Sequence, residues 1–204
     1  MEAYYKPTKA DLAAVARTFA EAFYDYPLHK YLLPDDATRK RAHPRIGIVY
    51  ATFGYKFGNM VATSEACEGV MLYASGKDVD PTGLQFVQSG ALRLLFTRWG
   101  GMWAARSFKV GKAIDTMRRK HAPDPHVYIT LLAVLPEHHG KGHARKLLAP
   151  LFKNADAGRI PCYLETFKAK NVTIYEHLGF ELLEECPVHG TPLTLYAMLR
   201  KPPV

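Results

Sequence analysis

The sequence predicts a single α/β or α+β domain built around one mixed sheet. The order of periodic segments carries that reading, since it runs helices, a hairpin, more helices and then β-α-β-α-β-β. The segment from His126 to Leu135 is apolar on both parities, as a strand covered on both faces in the middle of a sheet should be. The length, 204 residues without a long linker, suits one domain of the usual size of about 150 residues with a modest insertion. Apolar residues make up 48 % and charged residues 23 %, the balance of an ordinary globular chain, which excludes disordered and collagen-like classes.

Thr8 stands three residues before Asp11 like a capping box, and Leu12, Val15, Ala16, Phe19, Ala20 and Phe23 recur at helical spacing, so a first helix is expected over about 9–23. Tyr24 to Pro34 holds three tyrosines and two prolines, too broken for a long helix and too aromatic for a solvated loop, and is expected to line or pack on a pocket. Asp35-Asp36 can start a second helix to about Tyr55, and Phe57–Thr63 with Glu68–Tyr73 read as a hairpin. From Pro81 to Lys120 the pattern is helical again, and two helices broken at Gly100-Gly101 are expected. After the central strand, Ala144, Leu147, Leu148 and Leu151 mark a helix over about 144–157. A strand Pro161–Thr166, a helix Ala169–Leu178 and strands Phe180–Glu185 and Thr194–Leu199 complete the chain.

Lys plus Arg is 27 against 19 for Asp plus Glu, a net +8 that favours an anionic partner without naming it. The basic runs Arg39-Lys40-Arg41 and Arg118-Arg119-Lys120-His121 lie at expected helix ends without aromatic interleaving, so nucleic acid is not expected. Cys67, Cys162 and Cys186 are too few and too scattered for a disulfide framework and read as free thiols. No basic-then-apolar leader opens the chain, and nowhere do about 18 apolar residues run uncharged. A cytoplasmic protein with no membrane contact is the expectation. His139 and His143 have the i, i+4 spacing of metal ligands but no third ligand nearby, so no metal is expected.

The chemistry concentrates in Leu132-Ala133-Val134-Leu135-Pro136-Glu137-His138-His139-Gly140-Lys141-Gly142-His143-Ala144, where a buried strand passes into a helix through small residues whose N–H groups can converge on a phosphate. A Walker loop is excluded, because Ser or Thr follows none of the Gly-Lys pairs. A dinucleotide fingerprint is disfavoured by Arg145, which stands where a third Gly or Ala is needed.

His139-Gly140-Lys141-Gly142-His143-Ala144 resembles the Q/R-x-x-G-x-G/A pyrophosphate turn of the GNAT N-acetyltransferases. The likeness continues through Tyr163-Leu164-Glu165-Thr166 and Asn171-Val172-Thr173-Ile174-Tyr175-Glu176-His177-Leu178-Gly179-Phe180. It is strongest over 126–204, where the chain looks most like the puromycin acetyltransferase branch, and weaker in the N-terminal half. It departs from the family at His139, where Gln or Arg is usual; the imidazole can still donate a hydrogen bond.

The resemblance implies one domain over 1–204, its mostly antiparallel sheet splayed at an acetyl-CoA site. Residues 126–204 would form the cosubstrate and catalytic half, and the N-terminal helices with 81–125 the acceptor side. Acetyl would pass from acetyl-CoA to a primary amine of a small molecule or peptide. Backbone N–H groups of Leu132, Ala133 and Val134 would meet the pantetheine arm and the carbonyl oxygen, the turn His139–Ala144 the pyrophosphate, and Asn171, partner of Tyr175 one turn later on the same helical face, would also bind the cosubstrate. Tyr175 is the candidate donor to the leaving thiolate, against the plainer reading of a packed core ring. Strand parity places Tyr128, Thr130, Leu132 and Val134 on one face, with Tyr128 where relatives carry a base; Glu165, an acid in an apolar strand, is the better base, or else a structural carboxylate. Phe23, Tyr24, Tyr26, Tyr31 and Trp103 are expected near the acceptor. The alternative is a non-catalytic acyl-CoA-binding regulatory module. No feature bears on oligomeric state.

Overall fold

The computed structural model describes residues 4–76 and 82–203. A 3-10 turn, Lys9–Asp11, leads into α1 (Leu12–Ala22). The expected capping box is present, and within it the Asp11 carboxylate accepts from both Thr8 N at 2.7 Å and Thr8 Oγ1 at 2.8 Å. The aromatic stretch holds a six-residue helix, α2 (Pro27–Leu32), opened by a proline where a missing N–H costs nothing. α3 (Asp36–Phe57) is capped by Asp35, whose carboxylate accepts from Thr38 N at 2.7 Å. The hairpin follows as β1 (Asn59–Ala62) and β2 (Gly69–Ser75), paired antiparallel.

The next segment differs from expectation. It forms α4 (Gly83–Gln88), α5 (Leu92–Leu95) and α6 (Gly100–His121), so the Gly100-Gly101 pair opens the long helix instead of breaking one. Glycine is tolerated at a helix start, and the interruptions fall at Ser89–Ala91 and Phe96–Trp99. Pro81, the expected start of this helical stretch, lies outside the described residues. The C-terminal half then runs β3 (Val127–Val134), a 3-10 turn at Pro136–His138, α7 (His143–Ala157), β4 (Cys162–Thr166), α8 (Ala169–Glu176), β5 (Glu181–Pro187) and β6 (Thr194–Arg200).

The result is a single α/β domain whose six-stranded sheet has the order β1-β2-β3-β4-β6-β5, with only β3 and β4 parallel. Leu147, Leu148 and Leu151 of α7, with Tyr175 of α8, pack on one face against Met71, Ile129 and Leu164. The other face meets α1 and α3 through Phe19 and Ala51, and α6 through Val110 and Met117.

Two irregularities of β3 build the site. Its register with β2 skips a residue, since Leu72 faces Leu131 while Tyr73 faces Ile129, and Thr130 is left over as a bulge. One extra residue reverses side-chain parity. Ile129 and Leu132 therefore share the α7 face, while Tyr128, Leu131 and Ala133 lie on the α1/α6 side. The expectation that Tyr128 shares a face with Leu132 and Val134 is corrected accordingly. The second irregularity is a splay: β3 pairs with β4 only at Val127–Cys162 and Tyr128–Tyr163, and beyond Tyr128 the two strands part.

Candidate active site

The gap beyond Tyr128 opens into a cavity of about 710 Å³. The end of β3 forms one wall through Leu132 and Val134, and α8 another through Asn171, Ile174 and Tyr175. At its rim His139, Gly140, Gly142, His143 and Ala144 wind into α7. Gly140 and Gly142 have φ of +76° and +80°, a left-handed backbone that only glycine adopts without strain. The first bond of the helix runs from Lys146 N to the Gly142 carbonyl. The N–H groups of His143, Ala144 and Arg145 thus have no intrahelical partner and stand at the positive end of a fifteen-residue helix. Among the described lining residues Arg145, Lys168 and Lys170 carry charge and no carboxylate does. An anionic, elongated ligand with a pyrophosphate fits this wall.

Not every expected residue joins it. Lys141 is exposed and off the cavity, and Ala133 turns its side chain into the α1/α3 core. The His139 Nε2–H donates to the Val134 carbonyl at 3.0 Å, so the ring braces the strand end while lining the cavity. Asn171 Nδ2 donates to Thr166 Oγ1 at 3.2 Å.

A second cavity, of about 380 Å³, lies across β3 between the sheet and α3 to α6. The two meet at Phe23, Tyr26, Leu132, Asn171 and Tyr175, which line both. Glu165 stands in its wall. The pairing of Tyr128 with Tyr163 sets both on the α6 face, and Glu165, two residues after Tyr163, follows on the same face. The Tyr128 hydroxyl donates to Glu165 Oε2 at 2.7 Å, while Oε1 is buried without a hydrogen-bond partner. Burial pushes the Glu165 carboxyl up to about 7, against the opposing pull of the Tyr128 and Tyr163 hydroxyls and the Arg118 guanidinium. Burial and the neighbouring Glu165 charge raise the Tyr128 phenol well above its usual range, so it stays a donor and is no base. Arg118 lies over the Tyr128 ring at 5.9 Å and pairs with Asp115 at 2.9 Å.

Of the expected acceptor aromatics, Phe23, Tyr26 and Trp103 line this cavity. Tyr24 and Tyr31 do not. The Tyr24 hydroxyl donates to Asp36 at 2.8 Å under Arg39, and the Tyr31 ring lies under Arg106. Tyr26 caps the start of α2, Tyr31 is carried within that helix, and Tyr24 precedes it. The Tyr26 hydroxyl contacts Thr166 Oγ1 at 2.8 Å and accepts from Phe167 N at 2.7 Å, bolting the N-terminal segment to the end of β4. Sequence reasoning missed Thr166, Tyr163 and Arg118; the only available signal was that Tyr163 and Thr166 flank Glu165 in an otherwise apolar strand. Tyr175 lies edge-on to Phe180, and burial raises its phenol above the usual range. Among the described residues no group of His, Cys, Asp and Glu could hold a metal, and no helix is long and apolar enough to cross a membrane.

A six-stranded mixed sheet is thus splayed beside a glycine turn that delivers a helix N-terminus to the gap. Residues 98–182 match the family model described as an acetyltransferase (GNAT) domain. An uncharacterized N-acetyltransferase of Schizosaccharomyces pombe is 28 % identical over 178 residues, 83 % of this chain and 70 % of that protein. Among solved structures, a histone acetyltransferase HPA2 and related acetyltransferase of Corynebacterium glutamicum superposes with TM-score 0.60 at 20 % identity, over 98 % of this chain and 95 % of that one. Arylalkylamine N-acetyltransferase 2 of Aedes aegypti gives 0.57 at 16 % identity over 98 % of both. At such identities the structures share the fold alone. Residues 98–182 thus carry the match to a GNAT acetyltransferase domain, and that fold takes acetyl-CoA as cosubstrate.

Proposed function

We propose that this protein transfers acetyl directly to a primary amine, with Glu165 as the general base. The observation that carries the reading is a buried carboxyl held near neutrality in a cavity that meets the cosubstrate cavity at Leu132 and Tyr175. A base of this kind works best with a pKa near the working pH. Residues 126–204 form the cosubstrate side in this reading, and the N-terminal helices with 81–125 form the acceptor side of a domain spanning 1–204. A cytoplasmic location is part of the same proposal.

Bound acetyl-CoA supplies the acetyl group and leaves as the free thiol. The chain's own groups do the rest. N–H groups of Leu132 and Val134, released from β4 by the splay, hold the ligand's extended arm, and that of Leu132 polarises the carbonyl oxygen, while the Ala133 N–H stays on the β2 side of the strand. The N–H groups at the α7 N-terminus, with Arg145, hold phosphate charge. Ionised Glu165 takes the proton that the amine nitrogen loses as it forms its bond to carbon. Tyr128 positions the carboxylate through Oε2. Tyr175, kept protonated by burial, offers its O–H to the departing sulfur. Asn171 ties α8 to Thr166 and so fixes where Tyr175 stands. A non-catalytic binder has no use for a buried, near-neutral carboxyl in the second cavity.

The test is thiol release from acetyl-CoA with and without amines, for the wild type and Glu165→Gln. Acceptor-dependent release that falls about 100-fold or more in Glu165→Gln, with acetyl-CoA affinity retained, is the expected result. Undiminished turnover in Glu165→Gln removes it as the base.

A further inference from the structure

We infer that the acceptor is a compact arylalkyl monoamine: one aromatic body, a short alkyl arm and a single primary amine, with no second charge. This rests on the transfer reading above and names its substrate class. The second cavity has two chemically different ends. Where it meets the cosubstrate cavity stand Glu165, Thr166, Asn171 and Tyr175. The far end is walled by Ile46, Tyr50, Phe53, Phe86, Leu94 and Trp103, from α3 to α6. Ile46, Leu94 and Trp103 are only 2 %, 4 % and 8 % exposed, so much of this wall is packed into the molecule, while Tyr50, Phe53 and Phe86 beside them are half-buried. Among the described lining residues Glu165 is the single charged side chain.

Each excluded class fails on one term. A diamine or polyamine would carry its second ammonium into the apolar end, where no carboxylate meets it, and a buried unpaired charge is costly. An α-amino acid would set its own carboxylate beside Glu165 with no cation among the described lining residues. A lysine side chain could thread the cavity only if its peptide backbone lay among Phe86, Leu94 and Trp103, leaving N–H and C=O groups without partners. An aromatic body satisfies the same wall by apolar burial and edge-on ring contacts. The volume of about 380 Å³ leaves room for one small ring system and its arm.

The experiment measures kcat/KM for acetyl transfer by the full chain to 2-phenylethylamine, tryptamine, phenylalanine, 1,4-diaminobutane, spermidine and a lysine peptide. Phenylethylamine or tryptamine exceeding every other acceptor by at least about 30-fold is the expected result, of the order that one missing hydrogen-bond or charge partner costs. A peptide, amino acid or polyamine that equals or beats the arylalkylamines overturns the substrate class and leaves the transfer reading standing. No transfer to any amine by protein that binds acetyl-CoA overturns both. Phe86→Glu adds a carboxylate at the apolar end; a rise of the diaminobutane-to-phenylethylamine ratio of at least about tenfold supports the assignment, and an unchanged ratio in folded variant protein counts against it.

Discussion

The phenol of Tyr128 and the carboxylate of Glu165 share one hydrogen bond of 2.7 Å across the last rung where β3 and β4 are still paired. The acid is therefore held at the point where the sheet begins to open. Because Tyr128 donates to the carboxylate, it lowers the Glu165 pKa against the larger upward push of burial. Catalysis that needs the ionised carboxylate rises with pH through about 7. Tyr128→Phe removes a group that favours the charged form, so the midpoint of the rising limb of kcat/KM moves to higher pH. Profiles of the wild type and the variant from pH 5.5 to 9, with one amine, check this, since the acceptor's own titration is common to both.

Stability moves the other way. The folded Glu165 pKa lies above its ordinary value of about 4.5, so the carboxyl contributes fully to stability below about pH 4.5 and loses that contribution as pH rises through about 7. Glu165→Gln carries no such burden, and at pH 8 its Tm should equal or exceed that of the wild type while turnover collapses. A Tm several degrees lower at pH 8 would identify a structural carboxylate instead.

Tyr175 lines both cavities and stays protonated throughout the working range. In the proposed transfer, a phenol this weakly acidic would serve as a hydrogen-bond donor to developing thiolate charge. Tyr175→Phe keeps the ring packed on Phe180 and should lower kcat by about 10–100-fold with acetyl-CoA affinity within about twofold. Calorimetric titration beside steady-state kinetics separates the two quantities.

An added Cβ at Gly140 or Gly142 meets nothing within 4 Å, so the cost of alanine there is conformational, not steric crowding by neighbours. At φ of +76° and +80° that cost is about 1–2 kcal/mol per position. Either the turn holds and the protein is destabilised by that amount, or the turn relaxes and acetyl-CoA binds about tenfold more weakly. Kd and Tm of Gly142→Ala together should account for the strain, and a variant changed in neither would show that the turn is not required in this form.

His29 and His43 form a buried pair. The His43 Nδ1–H donates to the Ala20 carbonyl at 2.9 Å, leaving Nε2 to accept from His29 Nδ1–H at 3.2 Å, an arrangement that requires the His43 ring to be neutral. Burial, reinforced by His43 and Arg39, lowers the His29 pKa to about 3. Burial also lowers that of His43. The unfolded chain binds the extra protons, so stability is complete above about pH 6.5 and falls as pH drops below it. Tm should decrease from pH 7 to 5, and less steeply in His29→Gln than in the wild type; equal slopes would mean that the pair does not titrate on unfolding.

Much of this architecture can be read from residue order. The glycine turn, the helix behind it and the alternation of the last four strands all announce themselves, because period and turn chemistry act locally. What failed was local sequence with a tertiary cause. Thr130 is a β-branched residue that suits a regular strand, and nothing near it marks a bulge; only its pairing with β2 shows that the parity of β3 reverses. Gly100-Gly101 reads as a break, yet glycine fits a helix start as well as a gap. Tyr24, Tyr26 and Tyr31 look alike in sequence, yet Tyr24 is drawn to Asp36 and Arg39 and Tyr31 to Arg106, so that only Tyr26 lines the cavity.

The leftover residue in β3 also makes strand length, and not only side-chain identity, a determinant of activity. Deleting Thr130 would leave Leu131, Leu132 and Ala133 on the faces they hold now, because each already has its own partner in β2, but it would straighten the strand next to the point where β3 parts from β4. Replacing Thr130 by another residue, which keeps the extra position and its bend, should therefore be tolerated far better than removing it.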